Sequence, residues 1–107
     1  MEAMAVLADP TRRRIVELLA EGERPAGEIA SHFPVSGPAI SRHLRVLRET
    51  GIATYRRDAQ RWVYALNPQP IEEVDRWMRD TLLRWQTRFD ALGAHLDEMA
   101  AREEDEA

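Results

Sequence analysis

Two groups of arginines hold the chemistry available to this sequence. Arg42 and Arg45 lie about one helical turn apart in the stretch Val35–Leu47, and Arg56, Arg57 and Arg61 follow in a stretch rich in β-formers. A guanidinium carries a fixed fork of N–H donors that matches phosphate or the O6/N7 edge of guanine. Enzyme chemistry has no comparable constellation: there is no Gly-rich phosphate loop, nucleophile elbow or paired-His metal motif. Cys is absent, which excludes disulfides, thiolate metal sites and thiol redox switching. His95 and Glu98 are a local pair able to ligate a metal. Two ligands make a weak site unless a symmetric copy supplies two more, and a solvated helix face is the simpler reading. Neither a metal nor a cofactor is expected. His43 reads as a packed, hydrogen-bonded histidine beside a core stripe, and His32 as an exposed helix end.

The segment that carries Arg42 and Arg45 reads as a helix over 36–50. Ser36 can accept from a free backbone N–H of the first turn, where Pro38 is also tolerated. Ile40, Leu44 and Leu47 form an apolar stripe. About 180° round lie Pro38, Arg42, Arg45 and Glu49, flanked by Ser41. The small start at Ser36 and Gly37 allows close approach to another molecule. A helix lying in a DNA major groove needs these features, although any surface helix is polar opposite its core stripe. The preceding chain supports the first reading. Met4 to Ala8 is a short helix. Asp9 caps and Pro10 opens a second one, which buries Ile15, Leu18 and Leu19 and stops at Gly22. Pro25-Ala26-Gly27 reads as a loop. A third helix runs from Gly27 to His32, with Ile29 and Phe33 inward, and Pro34 ends it. Two short helices joined by a turn of about three or four residues make a helix-turn-helix.

Gly51 stops the Arg42 helix. Ile52–Arg57 and Arg61–Leu66 then read as two strands, with Trp62, Tyr64 and Leu66 on one face. Asp58-Ala59-Gln60 joins them as a hairpin, with Arg56, Arg57 and Arg61 at its tip. Such a wing reaches phosphates or a minor groove, though exposed hairpin tips collect charge in any case. Asn67-Pro68-Gln69-Pro70 reads as a linker. From Ile71 to about Arg102 the pattern is helical. Its apolar stripe includes Met78, Leu82, Trp85, Phe89, Leu92 and Leu96, a heptad seam from Leu82 on. A helix of roughly 48 Å is too long for so small a domain to cover, so the seam needs a partner, most simply a second copy. Trp77 lies off the stripe and is expected to pack back onto the N-terminal helices.

A net charge of −4 argues at first against a polyanion partner, but the charge is unevenly spread. Residues 10–66 hold 10 Arg against 6 acids, and residues 67–107 hold 5 Arg against 11 acids. Only the basic middle is expected to meet DNA. No apolar run is long enough to span a membrane, and no signal peptide opens the chain, so a cytoplasmic location is expected.

These parts together resemble an ArsR-type winged-helix transcriptional regulator, of a branch without a Cys metal site. Leu7-Ala8-Asp9-Pro10-Thr11-Arg12-Arg13-Arg14-Ile15-Val16-Glu17-Leu18-Leu19 resembles the family's opening signature. Ser36-Gly37-Pro38-Ala39-Ile40-Ser41-Arg42-His43-Leu44-Arg45-Val46-Leu47-Arg48-Glu49-Thr50-Gly51 resembles its recognition helix. The segment Trp62-Val63-Tyr64-Ala65-Leu66-Asn67-Pro68 resembles the end of its wing. The resemblance implies a homodimer held by the first and last helices, here through Met4 and Leu7 as well as the seam. It also implies repression from an imperfect inverted repeat of double-stranded DNA. By the resemblance, Ser36, Pro38, Ser41 and Arg42 would face the major groove, with Arg56, Arg57 and Arg61 in the wing; Gly37 and Arg45 of the same helix are further DNA-binding candidates. The family's metal sites use Cys, or an Asp-x-His on the last helix, and this chain has neither. Its wing tip has Ala59 where Gly is common.

The expected fold is mainly α with a small β-hairpin: a winged helix-turn-helix with a long C-terminal dimerisation helix. Residues 1–67 form the DNA-binding region and 68–107 the dimerisation helix and acidic tail, within a single compact domain. Two other readings of the same fold stand beside DNA regulation. One is a protein-interaction module using the long amphipathic helix, and the other a ligand- or metal-responsive sensor. The sequence names no small-molecule effector.

Overall fold

A computed structural model describes residues 2–106. The elements run α1 (Glu2–Leu7), α2 (Pro10–Glu21), β1 (Arg24–Pro25), α3 (Ala26–Ser31), α4 (Gly37–Glu49), β2 (Ala53–Asp58), β3 (Arg61–Leu66) and α5 (Gln69–Glu106). Helices α2 and α4 are bounded by local signals. Asp9 accepts from the Arg12 N–H at 3.0 Å, satisfying a donor that the first turn of α2 leaves free, with Pro10 at the helix start. Ser36 does the same for α4 through the Ala39 N–H at 3.2 Å. Past α4, Gly51 adopts φ 76°, a left-handed conformation that glycine takes without steric cost, and its N–H closes onto the Arg48 carbonyl.

The chain divides between Val74 and Asp75 into two units. The first holds the core. Ile15, Ile29, Ile40, Leu47 and Ile52 are its largest fully buried side chains, with Ala3, Val6, Leu19, Leu44, Tyr64 and Val74 around them. Each fully buried aliphatic side chain contributes roughly 1.5–3 kcal/mol relative to an exposed one. No polar or charged side chain is buried among the described residues. The second unit is the remainder of α5, which continues unbroken through Gly93. No helix is long and apolar enough to cross a membrane, among the described residues.

Several expectations need correction. The sheet has three strands, in the order β1-β3-β2, rather than being a hairpin alone. Arg24 and Pro25, read as irregular chain, pair antiparallel with Tyr64 and Val63. A two-residue strand shows no periodicity, and Pro is tolerated there because β1 is an edge. Helix α3 starts at Ala26, one residue earlier than expected, and the turn to α4 spans the five residues 32–36. The linker before α5 shrinks to Asn67 and Pro68. Pro70 sits inside the first helical turn, where its missing N–H has no intrahelical partner to lose. Asn67 holds this junction: its Nδ2 donates to the Gly51 carbonyl at 2.8 Å, and its Oδ1 accepts from the Gln69 N–H at 3.3 Å. Trp77 does not pack away as expected but stays 44% exposed.

Candidate nucleic-acid interface

Helix α4 buries Ile40, Leu44 and Leu47 and exposes Ser36, Gly37, Pro38, Ser41, Arg42 and Arg45. The two faces follow from apolar residues recurring every three or four positions. Gly37 is not required by its own fold: a Cβ there would meet no neighbouring atom, and its φ is not positive. Arg42 makes no ion pair among the described residues, whereas the Arg45 Nε donates to Glu49 Oε1 at 3.0 Å. His43 is half-buried, as expected, but its buried Nδ1 has no hydrogen-bond partner among the described residues, which corrects the expectation of a satisfied histidine. Asp9 has its carboxyl held below the usual range. The Arg12 N–H is the main cause, assisted by the charges of His43 and Arg12 and opposed by partial desolvation.

In the wing, register decides which way each arginine points. Tyr55 faces Tyr64, Arg56 faces Val63, Arg57 faces Trp62, and Asp58 faces Arg61. Side chains alternate along a strand, so Arg57 shares a face with Tyr55, Trp62 and Tyr64. Arg56 and Arg61 share the other face with Asp58. On that second face both cations are already engaged. The Arg56 Nη2 lies 2.6 Å from Glu23 Oε1, and the Arg61 Nη2 lies 3.5 Å from Asp58 Oδ2. The three arginines therefore do not form one tip cluster. The turn places Ala59 at φ 56°, a left-handed conformation that an L side chain resists.

Two residues that sequence reasoning passed over stand beside this site. Arg48 of α4 lies over the Tyr55 ring, 4.6 Å from its centroid, and links the helix to the wing. Glu23 occupies Arg56. Sheet register puts Tyr55 on the same face as Trp62 and Tyr64, but nothing local in the sequence brings Glu23, 33 residues away, to Arg56.

The second unit presents the seam. Met78, Leu82, Trp85, Phe89, Leu92 and Leu96 are each at least half exposed, and the Trp85 and Phe89 rings stack at 5.4 Å. Of the two N-terminal candidates, Met4 is exposed, whereas Leu7 already packs against the core. His95 and Glu98 are exposed on the same helix.

A family model described as bacterial regulatory protein, arsR family, matches residues 9–55. The chain is 40% identical over 72 residues to the transcriptional repressor SdpR of Bacillus subtilis, covering 67% of this chain and 80% of that protein. It is 39% identical over 95 residues to the HTH-type transcriptional regulator Rv2034 of Mycobacterium tuberculosis, covering 85% and 89%. Among solved structures it is similar to a possible transcriptional regulator for arsenical resistance, with a TM-score of 0.69 and 44% identity over 77% of this chain and 84% of that one. An ArsR-like transcriptional regulator from Rhodococcus sp. RHA1 superposes with a TM-score of 0.74 at 26% identity, covering 84% and 85%.

Proposed function

The chain belongs to the arsR family of bacterial regulatory proteins, DNA-binding transcriptional regulators, and on that premise we propose that it acts as a homodimeric repressor at an inverted-repeat operator. The observation that carries the reading is the outer face of α4, where Arg42, without an ion pair among the described residues, stands among small residues at the capped start of the helix. A side chain so placed reaches base edges once the backbone lies close to the groove floor. Ser36, Gly37, Pro38 and Ser41 let it approach, and Gly37 leaves room its own fold does not use. Arg45 follows along the same face and exchanges Glu49 for DNA. The wing arginines Arg56, Arg57 and Arg61 meet the sugar–phosphate backbone beside the groove, fixing orientation rather than sequence.

A second copy joins through the seam of α5, with Met4 and Leu7 of α1 adding to the contact. The half-exposed aromatic and aliphatic side chains from Met78 to Leu96 support this, because a solvated surface rarely keeps so long an apolar stripe. Two-fold symmetry then presents two α4 helices to two half-sites, and occupancy of the operator blocks transcription, the role named for SdpR. The acidic excess beyond residue 67 belongs to the element that meets protein, and the basic excess of 10–66 to the one that meets DNA. Selection of duplexes from a random pool with the purified protein tests the reading. It is expected to enrich an inverted repeat with half-sites about one helical turn apart. A pool that stays random would reject it.

A further inference from the structure

We propose that Tyr55 and Trp62 are positioning residues for DNA binding, holding the Arg57 guanidinium of the wing in fixed relation to α4. The inference rests on the DNA-binding reading above and names how the wing is made ready for it. One face of the hairpin carries an unbroken series of contacts. The Arg48 guanidinium of α4 lies 4.6 Å from the Tyr55 ring centroid. Tyr55 meets Trp62 at 5.0 Å with the rings tilted by 52°, and stacks on Tyr64 at 5.8 Å. The Arg57 guanidinium lies over Trp62 at 5.2 Å. Tyr64 is buried in the core, so the series is anchored at its root, while Tyr55 and Trp62 are 46% and 42% exposed.

The chemistry of the outer end separates Arg57 from its neighbours. Arg56 and Arg61 have carboxylate partners, whereas Arg57 has none among the described residues. A guanidinium held by its face against an aromatic ring keeps N–H donors at its edge for a phosphate. Among the described residues only its Nε is engaged, donating to the Ala59 carbonyl at 3.3 Å. A long side chain already confined by a ring and a carbonyl loses less freedom when it binds. A cross-strand aromatic pair by itself stabilises a hairpin, and that role alone requires no arginine at either end.

The test uses the full chain and a short duplex of mixed sequence, titrated by fluorescence anisotropy over a range of salt concentrations, with thermal unfolding run on every variant. Arg57→Ala is expected to weaken binding about fivefold and to lower the salt slope by about 0.9, the signature of one lost phosphate contact. Trp62→Leu, which keeps an apolar strand residue and removes the π face, is expected to reproduce both changes. Trp62→Thr serves in its place should the leucine variant fail to fold. The double variant with Arg57→Ala is expected to bind no worse than either single variant, and Trp62→Phe to bind as the unaltered protein does. Unaltered affinity and slope in Trp62→Leu, or losses that multiply in the double variant, would overturn the inference while leaving DNA binding intact. An unaltered protein with no salt-sensitive affinity would overturn the DNA-binding reading itself.

Discussion

Replacing both Leu82 and Phe89 with Asp is expected to convert the protein to monomers without unfolding it. The two side chains are 54% and 61% exposed in the single chain, and among the described residues the buried core lies at or before Val74. Neither substitution touches a residue of that core. In a dimer closed along the seam, burying the exposed half of each side chain contributes roughly 1 kcal/mol. Four such contributions disappear across the two-fold axis, and unpaired carboxylates forced into the seam cost several kcal/mol more. A total near 8 kcal/mol raises the dissociation constant on the order of 10⁵-fold or more, since about 1.4 kcal/mol is a factor of ten. Sedimentation equilibrium over a range of concentrations reads the mass, and far-UV circular dichroism reads the helix content of the same samples. A well-folded double variant that still sediments as a dimer would place the interface away from Leu82 and Phe89 and refute the seam argument.

Other changes test single links. Arg42→Ala is expected to cost about 1–3 kcal/mol of affinity for a selected duplex with an unchanged melting temperature, because this side chain has no ion pair among the described residues to lose. Glu23→Gln is expected to strengthen DNA binding about threefold by releasing Arg56 from its 2.6 Å partner. Anisotropy in an Arg56→Ala background, where that gain should vanish, checks the route. Ala59→Gly is expected to raise stability by about 0.5–1 kcal/mol, read in urea unfolding. Relief of the left-handed alanine outweighs the added freedom of glycine in the unfolded chain. The lowered carboxyl of Asp9 gives a pH dependence of definite sign: its stabilisation is complete above the ordinary value of 3.8 and is lost as pH falls through the lower folded-state value. Asp9→Asn, which keeps a capping oxygen, is expected to flatten the fall of the unfolding midpoint in acid.

What the sequence disclosed and what it concealed divide along the range of the interactions involved. Helix α4 was expected over 36–50 and is observed over Gly37–Glu49, because cap, proline, apolar stripe and terminal glycine all act within a few residues and agree. The long α5 and the β2–β3 hairpin followed from the same kind of local signal. Strand β1 escaped because two residues carry no period and their partners lie some 40 positions away. Pro70 suggested a linker because a proline that breaks a helix interior is harmless in its first turn. The exposure of Arg42 and of the apolar stripe along α5 follows from spacing alone. Grouping the three wing arginines overlooked the pleat, which sends the neighbours Arg56 and Arg57 to opposite faces. The partners that distinguish them, Glu23 on one side and Trp62 on the other, are set by sheet register and tertiary packing.

The central claim is that two copies of this chain grip one DNA site through α4 and the wing. Titration of a selected duplex with the protein at two salt concentrations, with the stoichiometry read from the breakpoint at high DNA concentration, tests it most directly. The expected result is two protomers per duplex and a dissociation constant that rises steeply with salt, by about 0.9 log units per decade for each phosphate contacted. Saturation at one protomer per duplex would contradict the dimer, and an affinity indifferent to salt would contradict the arginine-based grip.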